Sequence, residues 1–242
     1  MEKLIKPIKA ISYIKNGDSI LVGGFGVSGT PLTILDEIAS SDLKDLTAVS
    51  NNLGEKGKGL GKLLDAGNLK KAVGSYFTTG RHAVEAWLEG RLEIELVPQG
   101  TLAEALRCGG AGIGGFYTKT SVGTKLAENK EKKVIDGEEY VFEKAIKGDV
   151  ALIKASRSDT LGNLTYDKTA LNFNHVMATA GKTVIVEVDE IVEAGEIEPQ
   201  DIITPHLYVD YIVENKYIKK GGEYIEPSNS AENSKKGVGT IG

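Results

Sequence analysis

The sequence predicts an α/β protein: a mostly parallel sheet flanked by helices, with a β-hairpin inserted late. Three observations carry this reading. From residue 18 to about residue 110, short β-rich runs alternate with segments of helical spacing, in the order β-α-β-α-β-α-β-α, and such alternation builds parallel sheets. The first run ends in glycines that lead into a proline-started helix, "SILVGGFGVSGTP". Further on, "KKVIDGEEYVFE" sets Asp136-Gly137 between two β-like runs, a pairing suited to a tight primed turn.

Each element has its own signal. Residues 18–25 form a short apolar run of the kind buried on both faces of a sheet. Pro31 fits the first turn of the helix "PLTILDEIAS", where its missing N–H would be unpaired anyway. Strand "DLTAVSNN" and helix "GLGKLLDAG" follow, then strand "LKKAVGSYF" and helix "RHAVEAWLEG". Strand "LEIELVP" alternates, and helix "TLAEALRCGG" ends in glycines. "GGAGIGGFYTKTSVGT" is too glycine-rich for either regular element. Past the hairpin, "DVALIKAS" reads as a buried strand, "KTALNFNHVMATAG" as a helix, and "KTVIVEVDEIV" and "PHLYVDYIVE" as strands. From residue 221 the chain is polar and without period, so one domain over 1–220 and a flexible tail over 221–242 are expected.

Composition narrows the function. The 242 residues are 40% apolar and 26% charged, as in an ordinary globular protein. The net charge of −5 and the lack of a basic block argue against nucleic acid as a partner. No apolar stretch is long enough for a signal peptide or a membrane span. A single cysteine, Cys108, points to a reducing, cytoplasmic setting.

Gly24-Phe25-Gly26-Val27-Ser28-Gly29 has the spacing G-x-G-x-x-G. A strand, glycines and a helix start together form an anion cradle, because free N–H groups and the positive helix end face one space. A dinucleotide site also needs an acidic residue about 20 positions on. That place holds Val49, Ser50, Asn51 and Asn52, with no carboxylate. The spacing alone leaves a nicotinamide enzyme and a tight turn without ligand both open.

The wider pattern is more specific. "NGDSILVGGFGVSGTP", "LTAVSNN", "LVPQGTLAE", "RCGGAGIGGFYT", "GDVALIKA", "DTLGNLTY" and "VDEIVEAGE" occur in order between residue 4 and about residue 218. Together they resemble the A (alpha) subunit of family I coenzyme A transferases. That resemblance implies a coenzyme A transferase-like open sandwich and exchange of coenzyme A between a thioester and a free carboxylate. It implies a glutamyl intermediate, and thereby covalent catalysis that divides one exchange into easier steps.

The family's glutamate lies in a Ser-Glu-Asn-Gly motif on the B half. Here Glu128-Asn129, Glu214-Asn215 and Glu232-Asn233 each lack the flanking serine and glycine. The resemblance therefore implies no catalytic nucleophile in this chain and a B (beta) subunit that supplies it, in a heterotetramer or larger assembly. It places Gly24, Phe25, Gly26, Val27, Ser28, Gly29 and Thr30 along the coenzyme A site, with Gly26, Asn51 and Gln99 polarising or positioning the reacting groups. Asn51 and Gln99 follow two expected strand ends, the rim of an α/β site, and carboxamides can donate to a carbonyl or carboxylate. Residues 109–115 are expected as a second close approach, beside the acyl group. Coenzyme A is then a substrate, no cofactor or metal is expected, and short-chain carboxylates are the other partners.

Other residues have bland readings. Cys108 lacks a basic activator and suits a packing role. His82, His175 and His206 lack metal-ligand spacing. Trp87 reads as core. Lys56, Lys58 and Lys62 either attract coenzyme A phosphates or form a solvated face.

The acyl group is mixed in its signals. "SNNLG" and "GGFG" are similar to the 3-oxoacid type, which pairs succinyl and acetoacetyl groups; "SGTP", "RCGGAGIGGF" and "SDTLGNLTY" are similar to the acetate, acetoacetate and butyrate type. Two places depart from the family pattern: Thr118-Lys119-Thr120-Ser121 stands for Thr-Pro-Thr-Gly, and Leu171 for an arginine before Asn172-Phe173-Asn174. A glutaconate-type dicarboxylate transferase and a non-catalytic acyl-CoA or sugar-phosphate sensor are the alternative readings.

Overall fold

The computed structural model describes residues 3–78, 81–220 and 223–225. Its strands in chain order are β1 (Leu4–Ile5), β2 (Ser19–Val22), β3 (Leu46–Val49), β4 (Leu69–Gly74), β5 (Glu93–Leu96), β6 (Gly115–Thr118), β7 (Lys132–Ile135), β8 (Glu138–Lys144), β9 (Gly148–Asp159), β10 (Leu164–Thr165), β11 (Gly181–Val192), β12 (Tyr211–Glu214), β13 (Ile218–Lys220) and β14 (Glu223–Ile225). Its helices are α1 (Pro7–Ala10), α2 (Leu32–Ala39), α3 (Leu60–Asp65), α4 (Arg81–Leu88), α5 (Gln99–Gly110) and α6 (Asn174–Ala180).

The main sheet runs β1-β12-β11-β9-β2-β3-β4-β5, with β10 beside β9. Every pair along that path is parallel, and only β10 joins antiparallel. The mostly parallel α/β sheet predicted from the alternation is thus what forms. Successive side chains of a strand face opposite sides, so each strand feeds both cores. Ile20 and Val22 of β2 pack with α2, α3 and α4 through Ile34, Leu35, Leu63 and Ala83. Leu21 packs on the other side with Leu102 and Leu106 of α5 and Met177 of α6.

The chain order reverses at β2. From β2 it proceeds through β3, β4 and β5 on one side, whereas β9 lies on the other. Crevices beyond the carboxyl ends of strands at such a reversal are where open α/β sheets bind ligands. The loop that leaves β2 there is the glycine loop.

The hairpin forms as expected. Asp136 and Gly137 both take positive φ, 50° and 82°, as a two-residue primed turn demands. The hairpin also gains a third strand: β6 pairs with β8, giving a separate antiparallel sheet β6-β8-β7. "GGAGIGGFYTKTSVGT" therefore does hold a strand, since Phe116 and Tyr117 outweigh the glycines once β8 offers an edge.

Three further expectations change. Pro31 sits at the N-cap, one place before the helix, rather than in its first turn. "KTALNFNHVMATAG" is not one helix: a 3₁₀ turn at Lys168–Leu171 is separated from α6 by Asn172, whose φ and ψ are 14° and −115°, and Phe173. Trp87 is 52% exposed rather than core, because the small Ala83 and Ala86 form the inward face of α4. The close approach expected at residues 109–115 is made, at Gly109 and Gly110, to the chain's own atoms. A Cβ on Gly109 would lie 1.9 Å from the Ile146 carbonyl oxygen, and one on Gly110 2.0 Å from Thr179 Oγ1. These glycines let the end of α5 press against β9's entry and α6 at the amino end of the sheet.

Residues 223–225 pair antiparallel with β13, so regular structure enters the first part of the expected tail. Residues 226–242, with Glu232, lie outside the described residues.

Candidate functional site

The glycine loop is a small hairpin standing on the end of β2. Phe25 and Ser28 exchange both backbone hydrogen bonds, at 3.0 and 3.2 Å. Gly26 takes φ +64° at the first central position of that turn, a place where glycine is strongly preferred. Phe25, Gly26 and Val27 are exposed at the tip, Ser28 is half-buried, and Gly24, Gly29 and Thr30 are buried in its base. Thr30 Oγ1 donates to the Gly26 carbonyl at 3.1 Å, so this hydroxyl braces the loop from within. Among the described residues, no protein acceptor lies on the N–H of Gly26 or Val27. These are donors left over at the tip.

The start of α2 is not a free anion cradle. Its amides at Thr33 and Ile34 donate to Glu187 Oε2 at 2.8 and 3.2 Å, and Leu32 N donates to the Thr30 carbonyl at 2.9 Å. An internal carboxylate occupies the position expected for a ligand's anion. Glu187 is fully buried, and burial pushes its carboxyl up to about 7 despite nearby Lys154 and the helix amides. Lys154 Nζ stands 3.9 Å from Glu187 Oε1 and closer to Asp189. Sequence reasoning missed this cluster. Its signal was present: "ALIKAS" and "VIVEVDE" each place a charge inside an apolar strand, and the register sets Lys154 directly beside Glu187.

Asn51 and Gln99 meet. Gln99 Nε2 donates to Asn51 Oδ1 at 2.7 Å, and Ser75 Oγ donates to the same oxygen at 2.7 Å. Asn51 is 2% exposed, and its carbonyl oxygen takes the amides of Ser75 and Tyr76, each at 3.1 Å. So Asn51 is a fixed post between the ends of β3 and β4. Gln99, at the first position of α5, is exposed; one amide hydrogen is committed to Asn51, which leaves its other hydrogen and its Oε1 for a ligand. Gly74 permits this closeness, since a Cβ there would lie 2.3 Å from the Ser50 carbonyl oxygen. A cavity of about 510 Å³ opens beside these groups, walled by Phe25, Gln99, Gly100, Ala103, Asn172 and Phe173, among others.

The remaining candidates sort plainly. Lys62 is tied to Asp36 at 2.5 Å, and exposed Lys58 pairs with Glu55 at 3.8 Å. Cys108 is buried, and burial raises its thiol's pKa, which suits packing. Among the described residues no cluster of three or more His, Cys, Asp or Glu side chains could hold a metal, and no helix is long and apolar enough to cross a membrane. Glu128 and Glu214 are exposed.

Residues 4–215 match the family model described as coenzyme A transferase. This chain belongs to the coenzyme A transferase family. It is 50% identical over 214 residues to the alpha-type (A) chain of a probable succinyl-CoA:3-ketoacid coenzyme A transferase of Bacillus subtilis, covering 88% of this chain and 90% of that one. It is 48% identical over 221 residues to the corresponding chain of the succinyl-CoA:3-ketoacid coenzyme A transferase of Helicobacter pylori J99, covering 91% and 95%. An acyl-CoA transferase structure from Escherichia coli O157:H7, a thioester complex with CoA, shares the fold with a TM-score of 0.81 at 20% identity. That likeness covers 91% of this chain and 48% of the other, so this transferase chain spans about half of it. The family expected from the motifs is the one matched over nearly the whole chain. Both relatives are named as one subunit of their enzyme, in line with a transferase that works with a second chain.

Proposed function

We propose that this chain is the alpha subunit of a cytoplasmic short-chain acyl-CoA:carboxylate transferase of the succinyl-CoA:3-oxoacid kind, and that a beta subunit brings the nucleophilic glutamate to its glycine loop. The observation that carries this is the loop tip: the amides of Gly26 and Val27 have no protein acceptor among the described residues, and their neighbour Phe25 shares a cavity wall with Gln99, which is bonded to Asn51. The names of the two relatives favour the 3-oxoacid pairing over acetate or butyrate.

In this reading the partner's glutamate oxygen attacks the thioester carbonyl, the C–S bond breaks, and coenzyme A leaves as a thiolate. That thiolate attacks the glutamyl carbonyl of the resulting anhydride and releases the first acid. The acceptor acid then runs the two steps in reverse. Each attack places negative charge on a carbonyl oxygen, and preorganised amides are the groups that stabilise it. Gly26 and Val27 N–H supply those donors, and Gln99 positions the acyl carbonyl or the incoming carboxylate. The adjoining cavity takes the acyl group. Each step is an acyl exchange with no change of oxidation state, so no cofactor is proposed, and coenzyme A enters as a substrate.

The test is transfer from succinyl-CoA to acetoacetate, acetate, butyrate or glutaconate, by this chain alone and after co-expression with a candidate beta subunit. Activity confined to the co-expressed sample, with acetoacetate the best acceptor, is expected. Transfer by this chain alone would contradict the reading, and dominance of glutaconate would move it to the dicarboxylate type.

A further inference from the structure

We propose that Asn172 and Asn174 are positioning residues of the transfer site, which act by fixing the glycine loop from the other half of the chain. The inference rests on the functional reading above for the loop's role, but the brace itself is a matter of geometry.

Asn172 holds both arms of the loop hairpin. Its Oδ1 accepts from Gly24 N at 3.0 Å, and its Nδ2 donates to the Ser28 carbonyl at 3.1 Å. The carboxamide is itself held, since Oδ1 also accepts from Phe173 N at 2.7 Å and Nδ2 also donates to the Thr169 carbonyl at 2.9 Å. Asn174, fully buried, continues the brace one step on. Its Nδ2 donates to the carbonyls of Gly29 at 2.9 Å and Ala170 at 2.8 Å, and its Oδ1 accepts from Lys154 N of β9 at 2.9 Å. The loop is shaped to receive these side chains. A Cβ on Gly23 would lie 1.8 Å from Asn174 Oδ1, and one on Gly29 2.6 Å from the Ala170 carbonyl oxygen.

The loop is thus pinned at residues 24, 28 and 29, which leaves residues 26 and 27 as the free tip. A glycine-rich hairpin has many accessible conformations, and ordering it costs conformational entropy that the brace offsets before substrate arrives. Donors worth most in a transition state are those already aimed. The break at Asn172 in an otherwise helical segment has the same cause: a continuous helix would carry this side chain away from the loop. Asn172 and Phe173 also wall the cavity beside Gln99, so an occupant there touches the element that sets the loop.

The test uses the complex of this chain with its beta subunit. It compares Asn172→Ala with the unmutated protein. Three readouts are needed: steady-state kcat and KM for succinyl-CoA, amide hydrogen exchange over residues 23–31, and the melting temperature. The expected result is a ten- to hundredfold fall in kcat with KM within threefold, exchange of the loop segment at least tenfold faster, and exchange of β3 unchanged. Should Asn172→Ala not accumulate folded, Asn172→Ser carries the same expectation, because its hydroxyl is too short to span Gly24 and Ser28. A kcat within twofold of the unmutated value, or unchanged loop exchange, would overturn the inference. So would a loss of activity matched by equally faster exchange throughout the sheet, which marks a general structural role. If the unmutated complex transfers nothing, the functional reading fails separately, and loop exchange still decides whether Asn172 fixes the loop.

Discussion

Gly26→Val should lower transfer by the assembled complex about a hundredfold to a thousandfold, the cost of denying the reacting oxygen an aimed donor, while the chain still folds. The reason is local. Gly26 has φ +64°, and a Cβ added there meets nothing within 4 Å. The protein interior therefore does not resist the side chain. Two other things do. A β-branched residue is strained at that φ, by about 1–2 kcal/mol or somewhat more. The new methyls also stand in the open space above the loop tip, where the reacting carbonyl must come to reach the amides of residues 26 and 27. Steady-state transfer together with urea unfolding separates these effects. Transfer at the unmutated rate would contradict the role assigned to the loop, and global unfolding would contradict the steric freedom seen at Gly26.

Lys154→Met should cost stability heavily, about 3–5 kcal/mol where Glu187 is ionised, because it strips a buried carboxylate of its cation. Lys154 and Glu187 side chains are 2% and 0% exposed. Glu187 in turn holds the first turn of α2, from whose N-cap the glycine loop hangs. The loss should depend on pH. Burial sets the folded Glu187 carboxyl near 7, against an ordinary 4.5, so between those values the folded chain holds a proton that the unfolded chain has released. Stability from this group is then full below about pH 4.5, falls as pH rises through about 7, and is flat above. Without Lys154 the folded carboxyl moves higher still, and the fall extends further up the pH scale. Urea unfolding at pH 6 and pH 8 should show a larger deficit for Lys154→Met at pH 8. A deficit below about 1 kcal/mol at both values would mean that the buried carboxyl does not depend on this cation.

How much of the molecule is legible in its residues varies with the physics of each part. Strands β2, β3, β4, β9 and β11 are legible because burial on both faces gives unbroken apolar runs, and Asp136-Gly137 because few other residue pairs tolerate that turn. Strand β1 has two residues and exists only through pairing with β12, more than 200 positions away, so no local pattern announces it. Trp87 shows that aromatic content is not burial: its neighbours Ala83 and Ala86 are small enough to form the inward face instead. The glycines at 109 and 110 show the same limit from the other side. A glycine cluster announces close approach, but what approaches is set by tertiary packing, and here it is Ile146 and Thr179. Around the candidate site, the place of Gln99 and Asn51 near strand ends is legible, while a role for them comes only from the family resemblance. Their direct hydrogen bond is not, and neither is Glu187, seated at a helix start whose sequence suits a phosphate. Polar residues that serve a loop from 145 positions away leave only an indirect trace, such as the asparagine that interrupts a helix.

The proposed function divides the labour between two chains: this one aims and polarises, while its partner supplies the nucleophile. The most direct test incubates the assembled complex with succinyl-CoA and no acceptor acid, then measures the mass of each chain intact. The expected result is a covalent coenzyme A adduct on the beta subunit, located to one glutamate, with this chain's mass unchanged. An adduct on this chain would contradict the division.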